Sequence, residues 1–168
     1  MQDDFNSWQD PLNKVEQNTH QTAINTTPMK WHNFLIYFSL WAGGILNALS
    51  GMAQLTGSVY GADADYIYRY FDGLKGLDML YGVVLIGLGV FQIITRFHLA
   101  GHKSSGPSML MISYIVAAAV SLLYGVIASG ITDIALMELI NPAGLGGSIA
   151  MIFINKAYYD KRSALFIN

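Results

Sequence analysis

The sequence predicts an all-α protein, a four-transmembrane-helix bundle with both termini cytoplasmic. Three observations predict it. Of the 168 residues, 53% are hydrophobic and only 12% are charged, about half the charged share of an ordinary soluble domain. The stretch Met109–Gly130 carries neither charge nor proline. At about 1.5 Å per residue, a helix of that length crosses roughly 30 Å of hydrocarbon. Finally, Ser113, Ala117, Ser121, Gly125 and Ser129 recur every fourth residue, a stripe of small side chains that lets a neighbouring backbone come close.

Taken in order, residues 1–30 read as a disordered polar cytoplasmic tail. They hold Asp3, Asp4, Asp10 and Glu16, are rich in Asn and Gln, and contain Pro11 and Pro28. Without an apolar core segment they do not make a secretory signal. The transmembrane domain is expected over 31–160, with spans of about 34–55, 77–97, 109–130 and 139–158. In the first, Trp31 suits an interfacial ring, while Gly43, Asn47 and Gly51 continue a small-residue stripe from Ser39. Aligning Asn47 with Ser121 also aligns Gly43 with Ala117 and Gly51 with Gly125, a match that small-residue packing alone produces.

Between the first two spans, 56–76 is polar and rich in tyrosine, with Tyr60, Tyr66, Tyr68 and Tyr70 among its residues. It reads as a headgroup-level segment holding a short helix from Asp63 to Phe71, capped by Asp63 or Asp65. In the second span Gly82 and Gly89 lie seven residues apart on one face. A short loop, 99–108, follows, and a tight connection, 131–137, leaves the third span. The fourth span is broken or kinked near its start by Asn141–Pro142. Residues 161–168 form a charged cytoplasmic tail.

Orientation follows from the basic residues. With both termini inside, Lys30, Arg96, Lys103, Lys156, Lys161 and Arg162 are cytoplasmic, and only Arg69 and Lys75 lie outside. The acids Asp63, Asp65, Asp72, Asp78, Asp133 and Glu138 then fall on the outer side. They read as solvated loop residues or as an outer mouth that attracts cations, with no acid deep in a span.

Candidate chemistry is sparse. The chain has no cysteine, which excludes disulfides, thiolate metal sites and cysteine catalysis. No HExxH, GxSxG or Walker loop is present, so no catalytic residue, cofactor or metal site is assigned. His98 and His102 have the four-residue spacing of paired metal ligands. Gly101 lies between them and no third ligand is near in sequence, so they read as interfacial polar residues. Among intramembrane polar groups, Asn47, Gln54 and Gln92 are the candidates for a polar lining, Asn47 foremost because it sits near mid-span. The alternative for Asn47 is an interhelical hydrogen bond worth about 0.6–2 kcal/mol. The net charge of −2 gives no reason to expect a nucleic-acid partner. The expected partners are the lipid bilayer, a second copy of the chain, or another membrane protein.

At FLIYFSLWAGGILNALSG, FDGLKGLDMLYGVVLIGL, TRFHLAG and NKAYYDKRSALF, the chain resembles a group of small bacterial four-span membrane proteins of uncharacterised activity. The likeness covers roughly residues 29–168. Relatives of this kind often carry an amino-terminal zinc ribbon, which this cysteine-free tail cannot form. The resemblance implies four spans and a bacterial cytoplasmic membrane, and it brings no catalytic residues. The sequence thus points to a non-enzymatic packing, interaction or accessory protein, with a small oligomeric channel or transporter as the alternative.

Overall fold

The structure, a computed structural model, describes residues 15, 18, 19, 22, 28–140 and 142–167, and within them it is helical with no strand. The tail predicted over 1–30 and the Asn141 break lie largely or wholly outside the described residues. The first long helix enters as α1 (Lys30–Phe34), widens into a single π-helical turn at Leu35–Ser39, and continues as α2 (Leu40–Thr56). It stops at Gly57, whose left-handed φ of 74° lets its N–H turn back to the Gln54 carbonyl, a conformation that costs glycine least. A 3₁₀ turn (Ser58–Asp63) and α3 (Ala64–Tyr70) follow, with Asp63 at the N-cap position making no side-chain cap bond.

Helices α4 (Leu74–Ala100) and α5 (Gly106–Thr132) form an antiparallel hairpin. Pro107 in the first turn of α5 sacrifices no helical hydrogen bond. A one-turn helix, α6 (Leu136–Leu139), leads through an extended Ile140 to α7 (Pro142–Asp160). The helix expected from residue 139 therefore starts at Pro142, because proline suits the first turn of a helix and disfavours helix before it. A last 3₁₀ turn, Ser163–Leu165, ends the described chain.

Among the described residues three helical stretches are long and apolar enough to cross a membrane: Lys30–Tyr70, which holds the first long helix and its connector, Leu74–Ala100 and Gly106–Thr132. Their surfaces carry the apolar side chains. Leu80, Val83, Leu123 and Val126 are each more than half exposed, an arrangement that water penalises and lipid does not. Gathered at one end of the bundle, the buried core consists of Leu35, Ile36 and Leu40 from the first helix, Leu99 and Leu110 from the hairpin, and Tyr159, Leu165 and Phe166 from the end of the chain. The segment expected as a tail, 161–168, therefore packs Leu165 and Phe166 inside, because its apolar pair covers the mouth of that core.

The closest helix pair is α2 against α4. A Cβ at Gly51 would lie 2.5 Å from the Gly82 carbonyl oxygen, and one at Gly82 would lie 2.6 Å from that of Gly51. Two turns away, a Cβ at Gly89 would lie 2.6 Å from the Gly44 carbonyl oxygen. The pairs run in opposite chain order, so the helices are antiparallel and their backbones touch where side chains would otherwise separate them. Gly43, named in the expected stripe, sits instead beneath the Gln92 amide, whose Oε1 is 2.8 Å from its Cβ direction. It is Gly44 that meets the opposite backbone.

The α5 stripe packs elsewhere. Ser113 and Gly125 are buried, with Ala117, Ser121 and Ser129 half-buried. At Gly125 a Cβ would collide with Ile140 Cγ2 and would lie 3.0 Å from Leu136 Cδ1. Ala117 and Ser121 face Gly144 and Ser148 of α7 across a cavity of about 110 Å³. Ser113 donates to its own helix at the Leu110 carbonyl (2.7 Å), and Ser129 closes the turn after α5 by donating to the Ile134 carbonyl (2.7 Å).

Candidate functional site

Polar side chains enter this apolar bundle at three levels. The middle level is the Asn47–Gln92 pair. Asn47 Nδ2 donates to Gln92 Oε1 at 3.2 Å, within the seam where the glycines bring α2 and α4 together. Gln92 is 9% exposed. Gln54 lies two helical turns, about 10 Å, from Asn47 and does not join them; its buried Oε1 has no hydrogen-bond partner. The three residues expected to share a polar lining are thus divided between a closed pair and a separate amide.

The cavities beside them are apolar. One of about 370 Å³ between α4 and α5 is lined by Val84, Gly87, Leu88, Phe91, Ile112 and Val116. A second, of about 110 Å³, continues along the same seam past Val84 to Tyr81, Val120 and Ile127. Asn47, Gln54 and Gln92 line neither of these nor the α5–α7 cavity.

At the end of the bundle where α4 begins, Asp78 is fully buried. The Tyr68 hydroxyl donates to its Oδ2 at 3.0 Å and the Tyr124 hydroxyl to its Oδ1 at 2.8 Å. Tyr60, edge-on to Tyr68 with ring centroids 5.5 Å apart, lies within hydrogen-bonding reach of Asp78 and Tyr124. The carboxylate is satisfied by phenols and not by a cation, and it ties α3, α4, α5 and the 3₁₀ turn together. Asp78, expected among the solvated outer acids, is instead the buried centre of a tyrosine cluster. Leu74 occupies the first turn of α4 and is itself buried, so the helix starts earlier than the expected 77 and carries Asp78 inside. Tyrosine density in 56–76 was the available signal. Tyr124, however, comes from a helix two elements later.

The opposite end holds the third level. His32 is 1% exposed, with Nδ1 3.0 Å from the Tyr159 hydroxyl. Its ring faces His102 at 5.3 Å and Phe166 at 5.6 Å between centroids. Beside it, Trp31 Nε1 donates to Asn155 Oδ1 at 2.9 Å, and Asn155 Nδ2 donates in turn to the Met151 carbonyl. Asn155 is fully buried. The pair suggested by sequence spacing separates: His98 Nδ1 meets Ser105 Oγ at 2.8 Å, while His102, at a left-handed φ of 52°, turns toward His32. No sequence signal joined His32 to His102, since 70 residues separate them. Among the described residues no group of three or more His, Asp or Glu side chains gathers to hold a metal.

Close to this level, the π turn at Leu35–Ser39 displaces the helix backbone. Arg96 Nε donates to the Ile36 carbonyl within it at 3.1 Å. The Arg96 guanidinium carbon lies 5.4 Å from the Trp41 ring centre and 4.9 Å from that of Phe97. No protein-family model, curated protein or solved structure matches the chain, and its function is therefore read from these three polar levels and the helix seams between them.

Proposed function

We propose that the chain is a non-enzymatic integral membrane protein that acts by association, as a packing, interaction or accessory subunit of the bacterial cytoplasmic membrane. One observation carries the reading. The intramembrane amides best placed to line a path, Asn47 and Gln92, bond to each other inside a glycine-lined helix seam. A polar pair closed on itself gives a permeant no continuous row of ligands. What remains presented to the bilayer is a long apolar surface and, on α7, Gly146 and Gly147 with open space where a Cβ would stand.

In this reading α7 is the fourth span and both termini are cytoplasmic. Support comes from its course. Gly144 and Ser148 lie against Ser121 in the middle of α5, whereas Asn155 and Tyr159 meet Trp31 and His32 at the start of the first helix. The apolar run Leu145–Ile154 is shorter than in the other helices, and Lys156 pairs with Asp160 at 3.0 Å beyond it. The basic residues Lys30, Lys103, Lys161 and Arg162 flank that same end.

Native mass spectrometry after gentle release from the membrane tests association. A defined homo-oligomer or a stable complex with another membrane protein is expected; monomer alone at several detergent-to-protein ratios would count against it. An oligomeric channel or transporter is the second reading, favoured by the buried, unpartnered Gln54 Oε1. Voltage-driven ion flux through the purified protein in liposomes, abolished by Gln54→Leu, would favour that reading over the first.

A further inference from the structure

Arg96 presents a cation at the apolar surface with its orientation already fixed. Its Nε is committed to the Ile36 carbonyl, 3.1 Å away in the π turn, which leaves the two Nη groups to donate elsewhere. No acid is placed against it: the one ion pair among the described residues is Lys156–Asp160. Trp41 and Phe97, packed edge to face, both lie against the guanidinium, 5.4 and 4.9 Å from their ring centres. Both rings are substantially exposed, at 37% and 54%. Phe38 is 62% exposed, and the tilted ring of Phe34 lies 5.6 Å from it. An aromatic, lipid-facing strip therefore leads up to a cation one turn from the end of α4.

We propose that Arg96 is a binding site for the phosphate of an anionic phospholipid, whose acyl chain lies along Phe38, Trp41 and Phe97. The chemistry selects this occupant. A planar guanidinium donates two parallel hydrogen bonds to phosphate oxygens, and a cation on an apolar helix surface gains most from a counter-charge that arrives with its own hydrocarbon. The π turn supplies the preorganisation. By holding Nε it restricts the side chain to one orientation, so less freedom is lost when the two Nη groups engage phosphate. The proposal rests on the apolar helices lying in a bilayer, not on the association reading, so a monomeric protein would leave it standing.

The test is lipid titration of delipidated protein in mild detergent, read by native mass spectrometry. Phosphatidylglycerol and phosphatidylcholine with identical acyl chains are the probes. Wild-type protein is expected to bind phosphatidylglycerol about tenfold more tightly than Arg96→Gln does, a difference equal to about 1.4 kcal/mol. Arg96→Lys should fall between them. Phosphatidylcholine should bind wild type more weakly than phosphatidylglycerol does. Inorganic phosphate in large excess should not displace the bound lipid. Because Arg96→Gln loses the bond to Ile36, Trp41→Leu provides a second arm that keeps the charge and its anchor; it is expected to weaken lipid binding several-fold while helicity is unchanged. Equal phosphatidylglycerol binding by wild type and a folded Arg96→Gln would overturn the proposal. If Arg96→Gln does not fold, full binding by both Arg96→Lys and Trp41→Leu would overturn it. Displacement by inorganic phosphate would do so as well, since it would mark a plain anion site.

Discussion

At the scale of single residues, atoms too small to fill space do as much here as those that bond. Gly51 lies so close to the Gly82 carbonyl that the methyl of Gly51→Ala has no room, and the obstacle is backbone, not a side chain that can rotate away. We expect Gly51→Ala to lower stability by about 1–3 kcal/mol, seen as an earlier thermal transition in detergent, while Gly87→Ala, with open space at its Cβ, leaves the transition where it was. Asn47→Leu should cost about 0.6–2 kcal/mol. The Asn47→Leu/Gln92→Leu double variant should recover part of that loss, because it no longer leaves one amide facing none. Asp78→Ala strands the Tyr68 and Tyr124 hydroxyls, which now bond to its carboxylate, and should cost about 2–4 kcal/mol for the two bonds; Asp78→Asn, which keeps an acceptor oxygen, should cost less.

At the scale of elements, periodicity made the long helices legible and chain separation hid what joins them. Met109–Gly130 announces a helix by lacking anything that would stop one, and Gly82 with Gly89 announces a seam by spacing. The partner of that seam was harder to read. Gly43 and Gly44 are adjacent, and only the rotation of α2 around its axis, altered by the π turn, decides which one meets the opposite backbone. The polar levels were less legible still. Asp78 needs tyrosines from three other elements, and His32 needs Tyr159, His102 and Phe166, none of which lies within one helical period of it. The segment after α7 also contradicts its charged composition, since two apolar side chains in it outweigh Lys161 and Arg162 in deciding where it packs. Phe166→Ala should therefore behave as a core substitution and cost about 3–5 kcal/mol. Hydrogen exchange should rise at the Asn33 amide, whose bond to the Met29 carbonyl closes the first turn of the helix.

At the scale of the whole molecule, the absence of cysteine is an experimental opening. Single cysteines placed at Ser58, Ser104 and Ser163 can each be probed in intact cells with a membrane-impermeant maleimide and no background from the native chain. Four spans with cytoplasmic termini predict labelling at Ser58 alone until the membrane is permeabilised. Labelling of Ser163 from outside would mean that α7 does not cross. The same apolar exterior that makes the fold recognisable also explains why composition says so little about activity. Among the described residues most of the polar side chains that enter the bundle bond to one another, as Asn47 does to Gln92 and Asp78 to Tyr68 and Tyr124.

The contacts between Trp31 and Asn155, and between His32 and Tyr159, also set an order of biosynthesis. Chain that leaves the ribosome early must wait for chain made more than a hundred residues later before its indole and imidazole find their partners. The α2–α4 glycine seam needs no such delay and can form as soon as the second helix is inserted. Assembly would then proceed from a finished α2–α4 pair toward a clasp that shuts last.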